Sequence, residues 1–166
     1  MRGRKGSRGF TLIEMLVVVV LLAIFATIAL PSFTKMIGSN RVQSTSEEIF
    51  AAVQFARMEA NSHQVQVSAC LSATVIRVVT GADCSITDFL RKVETPPSVS
   101  ISSGSASVLT FQPDGTASAN VDLVVCRDAD VTTGQKLSVG RSGYARLSPS
   151  GKNNNDPRTA LTACTL

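Results

Sequence analysis

The hydrophobic pattern changes character along the chain. From Phe10 to Leu30 it reads FTLIEMLVVVVLLAIFATIAL, 21 residues with one charge, Glu14. A helix of this length is about 30 Å long, which matches the hydrocarbon core of a bilayer. Pro31 follows and should kink or locally melt that helix. Residues 32–40 loosen the pattern further, because Gly38, Ser39 and Asn40 are poor helix formers. From Arg41 to Ser62 the helical period returns. Ile49, Val53, Ala56 and Ala60 make one apolar stripe, and Glu47, Glu48, Arg57 and Glu59 lie off it. The pattern predicts one long helix over about residues 10–62, weakened near Pro31 and Gly38.

After His63 the period becomes two. Val65, Val67, Ala69 and Leu71 alternate with Gln64, Gln66, Ser68 and Cys70, as in a half-buried strand. Residues 74–79 form a second, β-branched candidate. Gly81-Ala82-Asp83 opens a loop, and Pro96-Pro97 breaks the chain. Further candidates are residues 98–103, 107–112, 121–127, 136–139 and 144–147, with the turn Pro113-Asp114-Gly115 closing the second of them. Seven short candidates at close spacing predict antiparallel sheet. The fold class is therefore α+β, a long N-terminal helix packed on a C-terminal antiparallel β domain.

Composition agrees with one domain and an appendage. The chain has 166 residues, 44% of them hydrophobic and 17% charged, below the roughly 25% charged of an ordinary soluble domain. This much apolar surface excludes a disordered chain. The net charge is +4, but Arg2, Arg4, Lys5 and Arg8 account for it. Beyond residue 9, 12 basic residues face 12 acidic ones. The basic pI belongs to the N-terminal tip and is no evidence for a nucleic-acid surface on the body. The basic flank should stay cytoplasmic, with the rest on the other side of the membrane.

The apolar run has two readings, a cleaved secretory signal and a retained anchor. Thr27 and Ala29 offer a weak small-x-small cleavage site for the first. Glu14 distinguishes them, since a carboxylate in an apolar core costs about 2.5–3.5 kcal/mol. A disposable signal has no use for it, whereas a retained helix gains from it when a cation arrives to pair.

Gly9-Phe10-Thr11-Leu12-Ile13-Glu14 resembles the processing site of type IV prepilins and type II secretion pseudopilins. The resemblance implies cleavage between Gly9 and Phe10 by a prepilin peptidase/methyltransferase, N-methylation of Phe10, and a mature chain of 157 residues. It implies that Glu14 meets the N-terminal amine of a neighbouring subunit during assembly on an inner-membrane platform. It also matches Pro31, since the family commonly has a proline near the periplasmic end of the run. The segments become a leader (1–9), a transmembrane and filament-core helix (10–30), a periplasmic half-helix (31–62) and a β-rich periplasmic domain (63–166). The later order resembles GspH/FimT minor pilins and pseudopilins, with Phe111-Gln112-Pro113-Asp114-Gly115 similar to an F-x-P-x-G turn of that group.

Cys70, Cys84, Cys126 and Cys164 are separated by 14, 42 and 38 residues. No C-x-x-C is present, so the spacing supports neither a zinc ribbon nor a thioredoxin-like site. Four cysteines facing an oxidising compartment allow three connectivities. The sequential, non-crossing pairing, Cys70–Cys84 with Cys126–Cys164, is the one favoured here, and the family often closes its C-terminal region in this way.

Catalytic and metal chemistry find little support. His63 is the one histidine, it falls at the expected helix end, and no G-x-S-x-G nucleophile motif accompanies it. Asp128 and Asp130 precede Gly134, but Thr132 and Thr133 stand where an EF-hand would need another Asp or Asn. No Walker motif is present, so assembly must be powered by another protein. The sequence therefore predicts no enzyme, metal or cofactor.

Charge is uneven along the body. Residues 77–130 balance to −3 and residues 131–166 to +4. FimT-type pilins that bind DNA for uptake use a late G-R-x-R motif. Gly140-Arg141-Ser142-Gly143-Tyr144-Ala145-Arg146 resembles it with the pattern broken. DNA contact by Arg141, Tyr144, Arg146 and Lys152 is the alternative functional reading, Tyr144 stacking on a base and the cations on phosphates. Opposite charge on the two segments equally suits head-to-tail packing of subunits.

Overall fold

The computed structural model describes residues 10–153 and 159–166. The chain divides into two units, Met1–Ile37 and Gly38–Leu166. One helix, α1 (Leu12–His63), enters both and runs 52 residues without interruption. Local melting at Pro31 and weakening at Gly38 are therefore not observed. Proline removes one donor from the ladder, and a glycine in a helix costs only about 1 kcal/mol relative to alanine. The remaining turns carry both.

Each end of α1 has a local cause. Thr11 Oγ1 accepts the Glu14 N–H at 3.3 Å, satisfying one of the orphan donors of the first turn. At the other end Gln64 takes a left-handed φ of 54°. The Val65 N–H then reaches back to the Ala60 carbonyl at 3.2 Å, closing the helix in a Schellman arrangement.

Eight strands follow: β1 (Val67–Leu71), β2 (Val75–Thr80), β3 (Arg91–Glu94), β4 (Val99–Ser102), β5 (Val108–Phe111), β6 (Val121–Arg127), β7 (Gln135–Val139) and β8 (Ala145–Leu147). They form two four-stranded sheets, ordered β3-β2-β1-β5 and β4-β6-β7-β8. Every pairing is antiparallel. The Ile101 N–H donates to the Ala73 carbonyl at 2.8 Å, joining β4 to the β1–β2 turn and thus one sheet to the other.

The core lies between the second half of α1 and the inner faces of both sheets. Ile49, Val53, Ala56 and Ala60 are all buried, as the stripe predicts, and Val42 and Ala52 extend it. Ala52, Ala56 and Ala60 keep that face shallow, so large side chains of the sheets fill the space. Phe111, Ile76, Leu109, Leu123 and Leu137 are the largest of these. Thr45 and Ser46 are also buried on the helix, at polar positions a search for apolar periodicity passes over.

Two expectations need correction. Strand β3 was not foreseen, because Arg91-Lys92-Val93-Glu94 offers one apolar residue, Val93, to signal its inner face. Strand β1 is not half-buried; all five of its residues are covered. It lies between β2 and β5, the Ser68 and Thr110 hydroxyls pair at 2.9 Å, and Cys70 is bridged to the loop after β2.

Candidate functional site

The first feature is the apolar half of α1. Phe10 is 73% exposed, and Leu12, Ile13, Leu22, Phe25 and Leu30 are exposed with it. The segment is long and apolar enough to cross a membrane. Glu14 lies in its first turn, where the partial positive charge of the helix N-terminus favours a carboxylate. Its backbone is held by Thr11, a capping role that the search for assembly residues missed although T-x-x-E is legible in the sequence. Gly9 lies outside the described residues. Pro31 continues the helix.

The four cysteines form two bridges, Cys70–Cys84 with Cα atoms 5.7 Å apart and Cys126–Cys164 with Cα atoms 5.9 Å apart. Each ties a loop or tail to a strand. The first holds the segment after β2 over the outer side of β1, where Arg77 also donates to the Cys84 carbonyl at 3.1 Å. The second holds the C-terminal tail to β6. Leu161 and Cys164 cover Val124 and Cys126 there, forming a small second apolar cluster. The Leu166 N–H ends the tail on Ser102 Oγ at 3.2 Å.

A third feature sits at the end of α1. The 111–115 segment buries Phe111 and turns at Gly115, whose φ is 78°. Asp114 Oδ1 accepts from the Thr116 hydroxyl at 2.7 Å and from its N–H at 2.9 Å. The Thr116 hydroxyl and then its amide hold the Asp114 carboxyl below its ordinary range. Asn61 reaches the Pro113 carbonyl at 3.3 Å. Arg57 donates through Nε to the Gly115 carbonyl at 3.0 Å and through Nη2 to the Ser142 carbonyl at 3.3 Å. It thereby joins the 113–115 turn to the turn between β7 and β8. The pattern marks Arg57 only as off the apolar stripe; partners 58 and 85 residues away leave no periodic trace.

Of the residues named for DNA contact, Arg141, Tyr144 and Arg146 lie on the β7–β8 hairpin. Arg141 and Tyr144 occupy its turn, both exposed, and Arg146 is exposed on β8. Lys152 lies past the far end of β8, bridged to Ala160. The register places Arg146 opposite Ser138 and Ser138 opposite Asp122, so an acid shares that row. Asp122 is itself paired with Lys136 at 2.8 Å. The hairpin brings Arg141 and Tyr144 together and leaves Lys152 apart.

His63 is the last helical residue, 3.2 Å from Glu59. Asp130 accepts from the Thr132 N–H and hydroxyl, and Asp128 lies 3.1 Å from Arg127. Among the described residues no cluster of three His, Cys, Asp or Glu side chains is placed to hold a metal.

An exposed apolar half-helix continuing into the core of a two-sheet β domain defines a pilin-like subunit. The prokaryotic N-terminal methylation motif matches residues 4–30, and the family of the type II transport protein GspH matches residues 45–159. The chain belongs to that GspH family. The type IV minor pilin FimU of Pseudomonas aeruginosa (strain PAO1) is 27% identical, with a TM-score of 0.65 over 80% of this chain and 98% of FimU. A second crystal form of FimU gives a TM-score of 0.61 over 74% of this chain and 98% of FimU, also at 27% identity. The minor pseudopilin EpsH from the type 2 secretion system of Vibrio cholerae shares the fold, with a TM-score of 0.53 at 8% identity over 68% of this chain and 99% of EpsH. No curated protein matches the chain.

Proposed function

We propose that the chain is a minor structural subunit of a type IV pilus. It is made as a single-pass inner-membrane precursor, with residues 63–166 in the periplasm. Cleavage after Gly9 frees the Phe10 amine, which is methylated. The exposed apolar half of α1 then exchanges lipid for the helices of neighbouring pilins, and Glu14 pairs with an N-terminal amine. The observation that carries this reading is that exposed half-helix with one carboxylate near its start. A membrane covers it before assembly and other subunits cover it afterwards. The prepilin peptidase/methyltransferase and the assembly platform are the partners this route requires.

Likeness to FimU supports a pilus over a secretion pseudopilus, because EpsH shares only the fold. Deleting the gene and counting surface pili by electron microscopy tests the choice, with a complemented strain as control. Loss of pili restored by complementation is the expected result. Normal pili with failed protein secretion would place the subunit in a secretion pseudopilus instead.

A further inference from the structure

The two disulfide bridges sit in unlike surroundings. Cys126 is 1% exposed and lies with Val124, Leu161 and Cys164 in the small apolar cluster under the C-terminal tail. The backbone at Gly134 covers its sulfur, since a Cβ built there would fall 2.7 Å from Cys126 Sγ. The Cys70–Cys84 bridge instead lines a cleft of about 220 Å³, together with Arg77 and Val108. Ala69 and Leu71, on either side of Cys70, belong to the core, so strand alternation turns Cys70 to the outer face of its sheet. Ile76 and Val78 do the same for Arg77, and the register sets Arg77 directly opposite Cys70. Arg77 Nη2 donates to the Cys84 carbonyl at 3.1 Å, which fixes the guanidinium beside the bridge. The neighbouring Asp83 carboxylate is turned onto the Ser85 N–H and hydroxyl, at 2.8 and 2.7 Å.

Thiol–disulfide exchange proceeds by attack of a thiolate on one sulfur and departure of the other as a thiolate. A neighbouring guanidinium favours the thiolate, and apolar surroundings disfavour it. Attack on Cys84, the less buried partner in the cleft, expels Cys70 as a thiolate opposite Arg77. At the other bridge, attack on Cys164 would expel Cys126 as an anion among Val124 and Leu161, which is costly. Attack on Cys126 is blocked by the Gly134 backbone. The loop between β2 and β3 depends on the first bridge. Its ends are held by the Gly81 N–H on the Gln66 carbonyl at 2.7 Å and by the Leu90 N–H on the Val78 carbonyl at 2.8 Å. Between those ends the bridge and the Arg77 hydrogen bond tie residues 82–89 to the sheet.

We infer that the Cys70–Cys84 bridge is a site of thiol–disulfide exchange, opened by a dithiol reductant while Cys126–Cys164 stays closed. The first thiol of the reductant gives up its proton and bonds to Cys84 Sγ as the bond between the two cysteine sulfurs breaks, and Cys70 takes up a proton. The second thiol gives up its proton, bonds to the reductant's first sulfur and releases Cys84, which is protonated in turn. Two protein thiols form as the dithiol is oxidised to its own disulfide. Residues 82–89 are then released from β1, while the second bridge keeps the C-terminal tail on β6. The site goes beyond the filament-subunit reading and does not depend on it.

The test uses the full chain in detergent micelles, treated with dithiothreitol without denaturant and quenched with iodoacetamide at intervals. Peptide mass spectrometry should find Cys70 and Cys84 alkylated at least about tenfold faster than Cys126 and Cys164. A thioredoxin that keeps only its attacking cysteine should be trapped as a mixed disulfide on Cys84. Arg77→Gln should slow the opening about threefold or more, and Arg77→Lys, which keeps the cation, should restore most of the rate. A substitution that merely loosened the sheet would speed the opening instead. Equal rates at the two bridges, faster opening of Cys126–Cys164, or trapping on Cys70 would overturn the inference. Opening of Arg77→Gln as fast as the parent, or faster, would overturn the part given to the guanidinium.

Discussion

Gly143 has a φ of 74°, and a Cβ built on it would fall 2.0 Å from the Gly115 carbonyl and 2.8 Å from Arg57 Nε. Both turns are backbone at that point, so neither gives way cheaply. Gly143→Ala should destabilise the domain by at least about 2 kcal/mol, measured by denaturant unfolding of the full chain. A change within experimental error would mean that the two turns are not interlocked. Asp114 belongs to the same cluster. Its folded pKa is lowered first by the Thr116 hydroxyl and then by the Thr116 amide. A depressed carboxylate contributes stability above its unfolded pKa and loses it as pH falls through the lower folded value. Thr116→Val removes the larger cause, so the Asp114 titration followed by NMR should move up towards the ordinary value of about 3.9. An unmoved titration would contradict the assignment. None of this was legible beforehand beyond the turn itself. Phe111-Gln112-Pro113-Asp114-Gly115 announces a turn, whereas Arg57 and Ser142 become its neighbours only through the fold.

The elements were more legible because their signals are local. The stripe on residues 49–60 and the alternation in 98–103, 107–112 and 121–127 depend on nearest neighbours along the chain, and each gave a helix face or a strand. Strand β3 gave no such signal, since its pairing with β2 outweighs its charged composition. That the strands split into two sheets was equally silent, because the pattern specifies faces and not partners. The two bridges act at this scale. Each constrains the unfolded chain in proportion to the logarithm of its loop, and the loops are 14 and 38 residues. Cys126→Ser with Cys164→Ser should therefore cost about 1 kcal/mol more than Cys70→Ser with Cys84→Ser on loop entropy alone. Release of Leu161 from Val124 adds to the difference. Comparison of the two double variants by denaturant unfolding checks the order, and a larger loss from the shorter loop would contradict it.

At the scale of the whole molecule, the chain pairs a β domain cored by the second half of α1 with an apolar half-helix whose side chains are left exposed. Such a surface is tolerable only under lipid or other subunits. The N-terminal motif was readable because its six residues are contiguous. Filament entry through Glu14 is the central claim, and it predicts a separation of two behaviours. Glu14→Ala removes a costly carboxylate from the apolar run, so insertion into the inner membrane should proceed as in the parent. Incorporation should not. The decisive measurement is the ratio of this chain in sheared filaments to that in inner membranes, for the parent and for Glu14→Ala, by quantitative mass spectrometry. A fall of about tenfold or more in that ratio, with an unchanged amount in the membrane, is the predicted result. An unchanged ratio would contradict the pairing of Glu14 with an incoming amine.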